Sequence, residues 1–178
     1  MDTDESKRIV AAEEFYLVDA QGQVRVKLWQ RPDEAIELAF LGKNGKPRLL
    51  VGMGPDESSY VDLSGQNGQI RASLNTNENG KPGLTLADEN GRPQTRLAIS
   101  SDGMPYITMF GPDGEARLQV AVSDDGRPVI TLLDSSGQTR AYIGTEADGR
   151  PRIGILDWDG QAIWQEPKNE LETSEEVH

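Results

Sequence analysis

Seven glycines, Gly22, Gly45, Gly68, Gly91, Gly114, Gly137 and Gly160, recur every 23 residues without an insertion. A second set of turn residues sits between them at the same spacing: Pro32-Asp33-Glu34, Pro55-Asp56-Glu57, Asn79-Gly80, Asp102-Gly103, Asp125-Gly126 and Asp148-Gly149. A fixed period of this length marks a repeat architecture, in which each unit is one small element stacked on its neighbours. The chain therefore has to fold as a one-dimensional series rather than around a single irregular core.

Each unit reads as strand, turn, strand, turn. In one strand the sites Phe15, Leu38, Val61, Leu84, Ile107, Ile130 and Ile153 are all apolar. So are Leu17, Phe40, Leu63, Leu86, Met109, Leu132 and Ile155 two residues later. Between them stand Tyr16, Ala39, Asp62, Thr85, Thr108, Thr131 and Gly154, mostly polar or small. Alternation with period two is the signature of a strand with one buried face. The other strand repeats the pattern more loosely, with Leu28, Val51, Leu74, Leu97, Val120 and Ile143 uniformly apolar.

Register arithmetic joins these strands into hairpins. A two-residue type I′ turn at Asp113-Gly114 sets Met109 against Leu118 and Ile107 against Val120; Ser136-Gly137 likewise sets Leu132 against Ala141 and Ile130 against Ile143. At the second turn a three-residue loop, Ser101-Asp102-Gly103, sets Leu97 against Ile107, as a type I turn closed by a glycine bulge would. A three-residue loop at Glu89-Asn90-Gly91 would instead oppose Leu86 to Gln94 and break the pattern. The expectation is an all-β fold: seven 23-residue hairpins, about fourteen antiparallel strands in a meander. Arg25, Arg48, Arg117 and Arg140 then fall across from Val18, Leu41, Phe110 and Leu133, their stems covering apolar groups. The alternative is a two-sided β-solenoid, which would stack Arg25, Arg48 and Arg71 about 4.8 Å apart at a like-charge cost. A meander has one apolar face and two open edges, so it must curl, split into layers, or cover that face with another copy.

The repeat occupies residues 13–165. Residues 1–12 read as a lead-in or cap, and 166–178, rich in glutamate, as an acidic disordered tail. Thirty acidic against eighteen basic residues give a net charge of −12, which argues against nucleic-acid partners and anionic membranes. The chain has no cysteine, hence no disulfide or thiolate metal site. Its beginning lacks the basic and apolar regions of a secretory signal, and no apolar run reaches the length of a membrane span. Cytoplasmic synthesis is the expectation; export by a dedicated machine or assembly into a virion stays open.

No constellation for catalysis stands out. The only histidine is His178, the last residue, so a histidine base or metal site has no donor within the repeat. Asp19, Asp88, Asp134 and Asp157 recur at turn positions where aspartate ordinarily bonds the backbone. Asp157-Trp158-Asp159-Gly160 resembles a fragment of a calcium loop but lacks the remaining ligands, and reads as a hairpin turn. No GK[ST] or GxGxxG pattern offers a phosphate cradle. Trp29, Trp158 and Trp164 lie at turns or strand ends, and Tyr16, Tyr60, Tyr106 and Tyr142 take outward parity. Such aromatics serve as sugar platforms or as cross-strand partners; they do not recur at one repeat position. The expectation is no catalytic, cofactor-binding or metal-binding residues.

At FYLVDAQGQVRVKL (15–28) and VITLLDSSGQTRAYIG (129–144) the chain resembles a loose group of uncharacterised bacterial tandem-repeat proteins. Their unit is apolar-x-apolar-x-Asp-x-x-Gly-x-x-Arg. The resemblance covers about residues 13–163, departing at Gln94 and Ile163 in place of Arg and at Gly42, Gly65 and Gly111 in place of Asp. It implies a bacterial or phage origin and a repeat scaffold, with no activity and no site. The period is also similar to that of MORN repeats, whose Tyr/Trp/Gly signature is missing, and of single-layer spirochaete surface lipoproteins. The functional expectation is a non-enzymatic structural or protein-interaction scaffold, part of a larger assembly or fibre, with a protein partner or self-association and the outward Thr, Gln and Arg rows as contact surface. The alternative is a carbohydrate- or cell-wall-binding module that takes a glycan on its tryptophans.

Overall fold

The computed structural model describes residues 11–166. The lead-in and the acidic tail expected from composition lie outside them, except for residues 11 and 12 and for Glu166, which ends the last strand. Fourteen strands follow one another: β1 (Glu14–Val18), β2 (Val24–Gln30), β3 (Ile36–Leu41), β4 (Pro47–Met53), β5 (Ser59–Ser64), β6 (Ile70–Thr76) and β7 (Pro82–Ala87), then β8 (Pro93–Ile99), β9 (Pro105–Phe110), β10 (Ala116–Val122), β11 (Pro128–Leu133), β12 (Thr139–Thr145), β13 (Pro151–Leu156) and β14 (Ala162–Glu166). They form one antiparallel sheet in sequence order, and each strand touches only its neighbours in sequence. This is the meander. The two-sided solenoid is excluded, because consecutive strands pair directly instead of stacking rung on rung. Among the described residues the sheet neither closes into a barrel nor folds over into a sandwich, and β1 and β14 each pair on one side only.

The expected facing pairs form: Met109 with Leu118, Ile107 with Val120, Leu132 with Ala141, Ile130 with Ile143, and Leu97 with Ile107. The expected type I′ turns do not. At Asp113-Gly114 the Gly114 N–H donates to Gly111 O and the Gly111 N–H to Glu115 O, which closes a three-residue loop. Every one of the thirteen turns has this pattern. A type I′ turn needs two residues at positive φ, whereas here Gly114 takes φ +86° and Asp113 does not. The longer loop alone would slip the register by one residue. A bulge restores it: Phe110 pairs with Ala116, but Met109 pairs with Leu118, leaving Arg117 as the extra residue. Arg25, Arg48, Arg71, Gln94, Arg140 and Ile163 are extra in the same way. The Glu89-Asn90-Gly91 loop is therefore the real one, and Leu86 still meets Thr95. The arginines stand in bulges instead of opposite Val18, Leu41, Phe110 and Leu133, which pair with Val24, Pro47, Ala116 and Thr139.

The register gathers the apolar sites on one face. One row runs from Leu17 and Val26 through Leu63, Leu86 and Met109 to Trp164; the next runs from Phe15 and Leu28 to Ile153. Among the described residues there is only one layer, and this face is open: Leu63, Leu74 and Ile143 are half-exposed. On the opposite face the small and polar residues are the buried ones, among them Ala39, Ala98, Glu37, Asp62 and Thr108. Short side chains there sink between longer neighbours, which a single layer of apolar side chains cannot do for itself.

Candidate functional site

The apolar face is the largest feature that the strands position. Period-two alternation puts every second residue on it, and the bulge after each first turn keeps the same parity across thirteen pairings. Among the residues paired in its rows, from Phe15 to Glu166, only Glu166 on edge strand β14 is charged. Neutral polar groups, such as Gln30, Ser59 and Thr76, lie in the outermost row, apart from Thr95 between Leu86 and Met109. Face and rim thus differ sharply in polarity, as in a surface built for contact.

The turn rim is built by carboxylates and guanidinium groups. Asp19 Oδ1 accepts from the Gln21 and Gln23 N–H groups, both at 3.0 Å, and Asp88 Oδ1 from those of Asn90 and Arg92 at 2.8 and 2.9 Å. Asp134 Oδ1 takes the Ser136 hydroxyl at 2.7 Å with the Ser136 and Gln138 N–H groups, and Asp157 those of Asp159 and Gln161. These are turn braces, and the Asp157 loop is one of them. Where Gly42, Gly65 and Gly111 replace the aspartate, the acceptor moves two residues on: Asn44, Asn67 and Asp113 take the N–H groups of Lys46, Gln69 and Glu115. Their side chains fill the space a side chain at the glycine would need, since a Cβ on Gly42 would come within 2.9 Å of Asn44 Oδ1.

Four of the five bulged arginines, all but Arg48, stitch their unit to the next among the described residues. Arg25 Nε donates to Leu41 O at 3.2 Å, Arg71 Nε to Ala87 O at 2.9 Å, and Arg117 to Asp134 O at 3.1 Å. Arg140 donates to Asp157 O and pairs with Asp134 at 2.6 Å. The two departures from the arginine pattern differ in consequence: Ile163, in the last strand, has no following turn within the sheet to reach, whereas Gln94 makes no such bond among the described residues.

Backbone N–H donation holds the rim carboxyls below the ordinary carboxylate range, led by Gln23 at Asp19, by Arg92 at Asp88 and by Glu115 at Asp113. At Asp134 the Ser136 hydroxyl leads in the same direction. Between the folded and unfolded values the native chain binds fewer protons than the unfolded one. Stability is therefore complete above the unfolded carboxyl pKa of about 3.9 and falls as acid titrates the folded groups. Urea melts are expected to show a plateau from about pH 5 to 7 and a steep decline below about pH 4. Asp134→Asn keeps an acceptor oxygen but removes one titrating group, so its acid limb should be shallower. A wild-type profile level down to about pH 2 would contradict this account.

The opposite face carries one buried polar cluster. Glu37, Gly52 and Tyr60 lie in one cross-strand row. Gly52 has no side chain, so the Tyr60 ring lies across it and the hydroxyl donates to Glu37 Oε1, which also accepts from Arg31 at 3.0 Å. Burial first, and then the Glu37 carboxylate, hold the Tyr60 phenol above its ordinary value. Asp62 is buried nearby, and its Oδ1 has no hydrogen-bond partner among the described residues. The recurrence of Glu37 and Tyr60 at one repeat position, 23 residues apart, was the available sequence signal for this cluster.

The tryptophans do not assemble. Trp29 on β2 sits under the Lys27 ammonium, 4.4 Å from its ring centroid, while Trp158 and Trp164 stand at the other end of the sheet. Trp158 is 81% exposed, with the Arg140 guanidinium 4.8 Å over its ring. Trp164 faces the apolar side of β14. The tyrosines Tyr60, Tyr106 and Tyr142 take the polar face, as parity required. A shallow hollow lies on that face beside Arg127, Tyr142, Glu146 and Arg152, where Arg152 is already paired with Glu146 at 3.1 Å. Among the described residues no three His, Cys, Asp or Glu side chains stand close enough to hold a metal ion, and no helix is long and apolar enough to cross a membrane.

No protein-family model matches the chain, and no curated protein sequence is similar to it. Among solved structures, the chain is similar to the TCP domain of SAS-4 (dCPAP) of Drosophila melanogaster, solved in complex with a proline-rich motif of Ana2 (dSTIL). The two are 14% identical with a TM-score of 0.46, over 88% of this chain and 93% of that one.

Proposed function

We propose that the chain is a non-enzymatic structural or protein-interaction scaffold whose docking surface is the open apolar face. The observation that carries this reading is the exposure of that face along the sheet: two rows made mainly of Leu, Ile, Val, Phe and Met, charged only at Glu166, with no described residue packed on them. The outward Thr, Gln and Arg rows, which the sequence offers as the contact surface, are the less open side, with Ala39, Asp62 and Thr108 buried. The non-enzymatic part is supported by the rim carboxylates, whose oxygens are engaged by backbone N–H groups and arginines and so are poorly placed for proton transfer.

A second reading, a carbohydrate- or cell-wall-binding module, is favoured by Trp158 alone, which presents an exposed ring braced by Arg140. Affinity isolation under native conditions separates the two. The proteins retained by the wild-type chain should be lost with Leu63→Lys combined with Leu86→Lys and kept with Trp158→Ala. Retention of the same proteins by the double lysine variant would overturn the docking face. Trp fluorescence quenching by a soluble polysaccharide that disappears in Trp158→Ala would instead establish the second reading.

A further inference from the structure

We propose that the apolar face is covered by a second copy of this chain, giving a two-layered sandwich with the polar faces outward. The inference rests on the reading of that face as a docking surface and names its occupant.

The first argument is area. Roughly twenty large apolar side chains on this face are 37–62% exposed, so each copy presents on the order of 1,500 Å² of apolar surface. The largest apolar patch on an ordinary monomer is about 300–600 Å². Two such faces in contact would bury about 3,000 Å², within the range of obligate homodimers. Open single sheets also rarely exceed about ten strands without curling or splitting into packed layers, and this one has fourteen.

The second argument is pitch. Every strand contributes one residue to each apolar row, and the 23-residue unit recurs every two strands, which is about 9.6 Å along the sheet. A partner can interdigitate with the whole face only if its own ridges have that spacing, and another copy has it by construction. The third argument is charge. Two chains of net charge −12 repel at long range, yet among the residues paired on this face only Glu166 is charged, so contact brings almost no like charges together. The fourth is the composition of the flanking residues. Residues 1–10 and 167–178 contain only Met1, Ile9, Val10, Leu171 and Val177 as large aliphatic residues, too few to cover fourteen strands.

Face-to-face sheets pack about 10 Å apart with strands aligned within about 30°. A two-fold axis between them makes the contact isologous, and the assembly closes at two copies.

The test is sedimentation equilibrium of the full chain across a roughly hundredfold concentration range, at low and high salt. The expected result is a mass of about 39 kDa, twice the 19.5 kDa chain, with tighter association at high salt as the acidic repulsion is screened. Leu74→Lys with Leu97→Lys, both about half-exposed on this face, should weaken dimerisation at least a hundredfold. Gln119→Lys, a single lysine at an exposed position of the opposite face, should not. Far-UV circular dichroism checks that the double variant keeps its strands, and the wild-type mass decides independently of any variant. A wild-type monomer that binds a hydrophobic dye on the face would overturn the second copy while leaving the docking surface for a different partner. A monomer that binds no dye would overturn both. An open series of masses would mean shared edge strands and would overturn the closed sandwich.

Discussion

Valine at Gly52 is expected to cost about 2–3 kcal/mol of unfolding free energy, and valine at Gly154 about 1 kcal/mol or less, although both glycines lie mid-strand under a tyrosine. A Cβ on Gly52 would come 2.6 Å from the Tyr60 ring and 2.9 Å from the carbonyl oxygen of Ile36. The ring could swing aside, but Ile36 pairs with Met53 in the sheet, and its carbonyl moves only by breaking the ladder. Displacing Tyr60 also removes a hydrogen bond from buried Glu37, leaving that carboxylate to Arg31. At Gly154 the three nearest atoms all belong to the Tyr142 side chain, at 2.5–2.6 Å, and a side chain can swing aside. Neither glycine is at positive φ, so contact and not backbone conformation sets the cost. Urea unfolding of the two variants measures the difference. Tyr142→Thr should restore most of the loss at Gly154, whereas Tyr60→Thr should restore little at Gly52. Equal losses at both sites would show that the Ile36 carbonyl is not the obstacle.

Glu34→Gly combined with Glu57→Gly is expected to stabilise the protein by about 2 kcal/mol, about 1 kcal/mol at each site, and to raise Tm by roughly 4–8 °C. Of the thirteen turns, eleven place glycine at the third loop position with φ between 71° and 88°. The other two place Glu34 at 72° and Glu57 at 62°. A side chain in this region costs about 1–2 kcal/mol, offset in part by the freedom glycine gains when unfolded. Pro32 and Pro55, at the first loop position of these two turns, supply a preset φ and lessen the unfolded-state cost that glycine adds. Neither glutamate has a side-chain bond to lose among those found, so the two effects should add. A differential scanning comparison with Gly137→Ala, expected to lose about 1 kcal/mol, gives the converse at a turn that already has glycine. An unchanged Tm in the double variant would mean that these turns relax at no cost.

Much of this architecture is written in short-range chemistry. Alternation such as Val61-Asp62-Leu63 sets which residues share a face, and the constant spacing of Gly22 through Gly160 sets where the chain turns. The facing pair Met109 and Leu118 is legible from these two facts, because parity admits only one register that keeps the apolar rows intact. The turn type was not legible in the same way. Asp113-Gly114 suits a two-residue turn by composition, but the chain uses a three-residue loop and recovers register with a bulge at Arg117. At this turn the bulged arginine also reaches the carbonyl of Asp134, 17 residues away, but Gln94 and Ile163 stand in the same bulge without such a bond among the described residues.

The candidate surface follows the same division. Sequence alone determined that this protein is a β repeat with two apolar rows per hairpin, since strand parity and turn placement depend on residues a few positions apart. Only the tertiary structure decided that the rows stay open, that Tyr60 crosses Gly52 to reach Glu37, and that the polar face is the less exposed one. Whether a sheet closes, splits or remains a single layer depends on twist and coiling summed over fourteen strands, and no single unit carries that sum.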